Sequence, residues 1–274
     1  MYVHIYEMRP CLLAVLLAIA GCKPPEVGKV VLTGSSTVAP LAAEIGKRFE
    51  SLHPGVRVDV QSGGSGRGIT DARQGLADIG LVSRALKDDE KDLASFAIAN
   101  DGVCVILHKS NAVSSLTDQQ VVAIYTGKIA NWKEVGGKDA PVTVVNKAEG
   151  RSTLELFCHY YKLKNADIKA HVVIGDNAQG IKTVAGNPHS IGYVSIGTAE
   201  VEAAQGTAIR LLAVGGVAAS IENVANGRFP LSRPLNLVVK KAPEGLAKEY
   251  IDFARSEKVH DLVRGQYFVP IVPR

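Results

Sequence analysis

Short apolar runs rich in β-branched residues alternate with helix-like stretches along most of this chain, and that alternation restricts it to an α/β architecture. Val30–Leu32 reads as a strand, and the helix after it carries Leu41, Ile45 and Phe49 on one face. His53-Pro54-Gly55 is a turn, and Val56-Arg57-Val58-Asp59-Val60 alternates as a half-buried strand does. A helix from Ile69 to about Gly75 and strands at Ile79–Val82 and Val103–Leu107 continue the pattern. Further on, Thr117 caps a helix that starts within 116–121, and Pro141–Asn146, Ile191–Val194 and Leu235–Val239 are strands. Ser152–Tyr161 and Ala247–Ala254 are helical. Such repeats predict a mainly parallel sheet with ligands at the carboxyl ends of its strands. With 274 residues, no fixed-period repeat and no Pro/Gly-rich linker, the chain makes one large domain or two modest ones. Two lobes joined by crossing strands fit that organisation.

The N-terminus constrains location. Cys11–Ala20 is an apolar run, too short to span a bilayer, and it ends in Gly21-Cys22. This is the shape of a secretory signal, and Ile19-Ala20-Gly21-Cys22 fits a bacterial lipobox. Residues 1–22 are therefore expected to be a signal peptide with Cys22 lipidated, and 23–28 a tether containing Pro24-Pro25. The first residues lack basic charge, and Met8-Arg9-Pro10 makes a better start. The chain is expected outside the cytoplasm, in a periplasm or on a cell surface, held to the membrane by lipid. Cys104 lies in an apolar strand and Cys158 in a helix, and both are read as unpaired packing residues. A net charge of +4, spread evenly, argues against a nucleic-acid partner.

Three loops carry the chemistry: Gly34-Ser35-Ser36-Thr37, Gly64-Ser65-Gly66 and Gly150-Arg151-Ser152-Thr153. Each follows a strand and opens a helix. A helix start has unpaired N–H groups and the positive dipole end; Gly admits a close ligand, and Ser and Thr add hydroxyls. One such loop is an ordinary cap, whereas three in one exported chain point to an anion site. Ser62–Gly68 lacks the Lys-Ser/Thr ending of a P-loop. His108, His159, His171, His189 and His260 show no metal-ligand spacing, so neither metal nor cofactor is expected. No general base is paired with a Ser or Thr nucleophile, which argues against an enzyme and leaves a phosphatase as the weaker alternative. Trp132 reads as a packing anchor, and Lys87–Asp92 as a solvated helix start.

Several blocks together resemble the PstS-type phosphate-binding proteins of ABC importers. They are Thr33–Pro40, Ser62–Gly68, Ala77–Arg84, Ile124–Trp132 and Gly186–Tyr193. The resemblance implies a periplasmic-binding-protein type II fold, two α/β lobes with a ligand cleft between them. The lobes are expected to be 29–107 plus 214–274, and 108–213. It further implies a monomer that captures inorganic phosphate and delivers it to the permease subunits of an ABC transporter. Carried over by motif, the first loop offers Ser35, Ser36, Thr37 and the Thr37 and Val38 amides; the second offers Gly64, Ser65 and Gly66. Ser83 and Arg84 follow the third strand. The third family loop reads Arg-x-acid-Gly-Ser-Gly-Thr, and here it is Lys147-Ala148-Glu149-Gly150-Arg151-Ser152-Thr153. Lys147 thus stands for the family Arg, Arg151 can supply the bidentate contact instead, and Gly150, Ser152 and Thr153 complete the set.

Ser83 stands where much of the family has an Asp. An acceptor there recognises the proton of HPO4 dianion, and a hydroxyl discriminates less sharply. Asp78 and Glu149 are candidate substitutes; the plainer readings are a turn residue for Asp78 and an ion-pair partner for Glu149. Another tetrahedral oxyanion, such as sulfate, molybdate or tungstate, is the alternative ligand.

Overall fold

A computed structural model describes residues 1–2 and 28–271. Residues 3–27, which hold the expected signal segment, Cys22 and nearly all of the tether, lie outside the described residues. The strands are β1 (Gly28–Gly34), β2 (Val56–Ser62), β3 (Ile79–Val82), β4 (Ala94–His108), β5 (Thr143–Lys147), β6 (Val172–Ile174), β7 (Ser190–Ser195), β8 (Ile209–Leu211), β9 (Ser232–Val239) and β10 (Val269–Pro270). Between them run the helices α1 (Ala39–Leu52), α2 (Ser65–Gln74), α3 (Asp118–Tyr125), α4 (Ser152–Tyr161), α5 (Asn177–Ala185), α6 (Ile196–Ala204), α7 (Ile221–Ala225), α8 (Gly245–Ala254) and α9 (His260–Gly265).

The strand order is β2-β1-β3-β9-β4-β7-β5-β6, with β8 and β10 also paired to β4. The sheet is mixed rather than mainly parallel. β1 pairs in parallel with β2 and β3, and β5 with β6 and β7, whereas β9 is antiparallel to β3 and β4, and β4 to β7. Hydrophobic periodicity marks a strand but not its direction, so the alternation alone could not reveal the reversal.

Two cores flank this reversal. One gathers Leu32, Ile45, Leu81, Leu237 and Tyr250; the other gathers Val103–Leu107, Tyr125, Phe157, Tyr193 and Leu231. β4 runs 15 residues and serves both, pairing with β9 in its first half and β7 in its second. Residues 103–107, with Val214, Val224, Phe229 and Leu231, therefore pack in the second core, although the sequence reading places them in the first lobe. The crossing falls inside the strand rather than at its end.

Helix α2 begins at Ser65, four residues before the expected start, so the Gly-rich segment forms its first turn. Gly68 and Gly80 allow this. A Cβ on Gly68 would lie 2.8 Å from the Thr33 carbonyl oxygen, and one on Gly80 2.4 Å from that of Gly68. The helix is thereby pressed onto β1 and β3, with its start held over their carboxyl ends. Asp88–Glu90 forms only a 3-10 turn, and Glu90 is buried instead of solvated. Trp132 is buried and its indole N–H donates to the His189 carbonyl at 2.9 Å, as a packing anchor. Cys104 and Cys158 are free, and burial raises both thiol pKa values, that of Cys158 to about 11.

Candidate anion-binding cleft

The cleft lies where the carboxyl ends of β1, β3 and β5 face one another over the crossing strands. Its floor is an ion pair. Asp101 of β4 and Arg233 of β9 are register partners, and each side chain is 1% exposed. Arg233 Nε and Nη2 donate to Asp101 Oδ2 at 3.1 and 2.8 Å, and Ser195 Oγ donates to Oδ1 at 2.7 Å. Both carboxylate oxygens are thus occupied. The rest of the guanidinium reaches upward: Nη1 donates to Thr153 Oγ1 at 3.0 Å and Nη2 to Thr37 Oγ1 at 3.4 Å. Thr37 belongs to the first loop and Thr153 to the third, so one cation gathers a hydroxyl from each lobe.

Beside this floor, four buried serines form one hydrogen-bonded group. Ser65 Oγ donates to Ser152 Oγ at 3.0 Å, Ser83 Oγ is bonded to Ser152 Oγ, and Ser35 Oγ lies 2.8 Å from Ser83 Oγ. The Ser83 amide donates to Ser65 Oγ at 3.1 Å. Ser35 Oγ accepts the Thr37 and Val38 amides at 3.1 and 3.3 Å, which makes it the local cap before α1. With two amides on its lone pairs, the Ser35 proton is directed at Ser83. Gly64, at φ +97°, lets the third loop come close: a Cβ there would sit 2.7 Å from the Gly150 carbonyl oxygen. That carbonyl accepts the Gly66 amide at 3.3 Å.

Two more cations border the group. Lys147, at the end of β5, is 3% exposed and donates to Asn177 Oδ1 at 3.0 Å. Burial, aided by the positive charges of Arg233 and Arg151, depresses its pKa to about 7. Arg151 lies against Gly64. Ser36 faces outward instead, lining with Thr37, Ser62, Asp176 and Asn177 a cavity of about 400 Å³ that adjoins the cleft.

Thr37, Ser65, Ser83, Ser152 and Thr153 therefore converge as the motifs led one to expect. Arg84 does not join them. Four of its five N–H groups go to Glu90, the Ala85 carbonyl and Glu155, so in this structure it serves as an ion-pair residue beside the serine group. Neither substitute carboxylate reaches the site. Asp78 accepts the Val31 amide at 2.8 Å, and Glu149 is exposed with no ion-pair partner among the described residues. Apolar patterning marks these strands only from Val103 and Leu235, just beyond both charges, so it does not reach Asp101 or Arg233. The signal was there: opposite charges standing at the entries of two apolar strands.

A sequence profile of the PBP superfamily domain matches residues 23–258, and the chain belongs to that superfamily of periplasmic binding proteins. It is similar over 250 residues, at 29% identity, to the phosphate-binding protein PstS of Bacillus subtilis strain 168, covering 89% of this chain and 81% of that one. A phosphate ABC transporter substrate-binding protein of Clostridium perfringens, solved with bound phosphate, is 34% identical with a TM-score of 0.80. The match covers 89% of this chain and all of that one (100%). An ABC-type phosphate transport receptor of Vibrio cholerae, at 28% identity and a TM-score of 0.75, covers 89% and 100% likewise. Within the superfamily, the chain is a member of the PstS-type phosphate-binding proteins, with their type II fold.

Proposed function

We propose that this protein captures inorganic phosphate between its two lobes and passes it to the permease of an ABC importer, with no chemistry performed on the ion. The observation that carries this reading is the meeting of Thr37 and Thr153, from opposite lobes, on the buried Arg233 beside the serine group. A dianion among these groups meets hydroxyls, helix-start amides and two or three cations in a site sealed from water, where each charge-assisted hydrogen bond is strong. Among the described residues no helix is long and apolar enough to cross a membrane. Attachment is assigned to lipid on Cys22, with the chain monomeric and extracytoplasmic; Cys22→Ala should then move it from the membrane fraction to the soluble one.

Calorimetric titration of the ligand-stripped full chain with phosphate tests the main reading. Tight, one-to-one binding is expected, and no heat of binding at millimolar phosphate would sink it. One observation favours a second reading, a receptor for fully ionised tetrahedral oxyanions. Among the described residues, Asp101 already accepts three hydrogen bonds, Asp176 lines only the adjoining cavity, Asp78 is engaged by the Val31 amide and Glu149 is exposed, so no carboxylate faces the serine group as a dedicated proton acceptor. Sulfate competition in the same titration distinguishes the two.

A further inference from the structure

A second ionic network spans the cleft away from the serine group. Arg84, two residues past β3, is fixed within its own lobe: Nη1 and Nη2 donate to Glu90 at 2.6 and 2.7 Å. Its carbonyl accepts Asn236 Nδ2 of β9 at 2.7 Å. Nη1 also donates to the Ala85 carbonyl at 3.0 Å, and Nε donates across the cleft to Glu155 of α4. Lys87 Nζ reaches the same carboxylate at 3.1 Å. Glu155 lies one turn along α4 from Ser152, and Arg84 follows Ser83 in the chain. The first turn of α4 therefore docks twice on one dipeptide, through hydroxyls at Ser83 and through charge at Arg84.

We propose that Glu155, received by Arg84 and Lys87, is a positioning residue for closure: it sets how long phosphate stays bound without touching the ion. This rests on the reading of phosphate capture between the lobes. The asymmetry of the network is what suits it to the task. Separating the lobes leaves Arg84 paired with Glu90, so no bare cation is left buried in the open form. Glu155, whose side chain is 25% exposed even here, is returned to water. The bridge therefore adds to the closed arrangement and takes little from the open one, and a contact of that kind acts on the dissociation rate.

The test compares wild type with Glu155→Gln and Glu155→Asp in the full chain, measuring phosphate affinity by calorimetry and release by rapid mixing with a phosphate scavenger. Glu155→Gln should raise Kd about tenfold, almost all of it in koff, in line with loss of a half-desolvated charge pair. Glu155→Asp should recover part of the loss. The melting temperature without phosphate should stay at the wild-type value, while the rise produced by saturating phosphate should shrink. Unchanged koff in Glu155→Gln would overturn the proposal. So would a fall in phosphate-free melting temperature as large as the fall with phosphate, because the bridge would then be plain scaffolding. If wild type itself ignores phosphate, the functional reading fails first and the positioning role falls with it.

Discussion

Two arginine–carboxylate pairs frame the cleft, and their surroundings set them apart. Arg233 and Asp101 are opposite residues of two adjacent antiparallel strands, both side chains 1% exposed, so lobe movement does not separate them. Arg84 and Glu155 come from opposite cores, and Glu155 keeps a quarter of its side chain in solvent (25%). The first pair carries a large desolvation cost at all times and returns it as a fixed, oriented guanidinium for the hydroxyls of both lobes. The second bridges the two lobes and, on the closure proposed above, is desolvated only when they meet. Identical chemistry thus builds a permanent floor in one place and a conditional contact in the other.

The largest expected effects break the floor. Asp101→Ala leaves Arg233 buried without a counter-charge, a loss on the order of 3–5 kcal/mol that urea denaturation should register. Arg233→Gln should weaken phosphate binding at least about a hundredfold in calorimetry. Binding within threefold of wild type would remove Arg233 from the site and dissolve the contrast between the pairs. Next in size is Ser152→Ala. Ser152 is the serine on which Ser65 and Ser83 both converge, and a hydrogen bond to a charged partner contributes about 1.5–3 kcal/mol. A ten- to hundredfold rise in Kd is expected, against a change of less than about threefold for Ser36→Ala at the cavity mouth. Equal effects for the two serines would mean that phosphate sits in the outer cavity.

The three Gly- and hydroxyl-rich loops were legible because their meaning is local: a strand end, a small residue and a helix start lie within a few positions. That local pattern singles out Ser65, Ser152 and Thr153, which the structure brings together. The floor was not legible, because Asp101 and Arg233 are 132 residues apart and meet only through an antiparallel register that no periodicity encodes. Arg84 was misplaced for the complementary reason. It adjoins Ser83 in sequence, so the motif swept it in, yet Glu90 and the distant Glu155 decide where its donors go. Local pattern located the anion loops; charge partners needed the third dimension.

Lys147 allows a smaller effect to be read by pH. Unfolded, it holds its proton up to its ordinary value of 10.5; folded, burial depresses this to about 7. Between these values the unfolded chain binds the extra proton, so raising pH above 7 favours the folded state, by at most about 1.4 kcal/mol per unit. Phosphate-free stability should therefore climb from pH 7 to 9 in wild type and stay level in Lys147→Met. A bound anion favours charged Lys147, so phosphate binding at pH 8 should take up a proton, seen as a buffer-dependent heat that Lys147→Met lacks. A flat wild-type stability profile would show that Lys147 keeps its charge without phosphate.

Lys87→Gln is the finest probe of the contrast between floor and rim. Lys87 is about half exposed (51%), and its 3.1 Å contact with Glu155 is the outer arm of the bridge, while Arg84 Nε is the buried inner arm. Exposed ion pairs contribute about 0–1 kcal/mol and are screened by salt. Lys87→Gln should hence raise koff by no more than about fivefold at low ionic strength, and by nothing measurable at 1 M salt. The effect of Glu155→Gln should persist at that salt, because the inner arm is shielded from counter-ions. If instead both variants release phosphate equally fast and both differences vanish in salt, the bridge is an ordinary surface pair, and the floor alone governs retention.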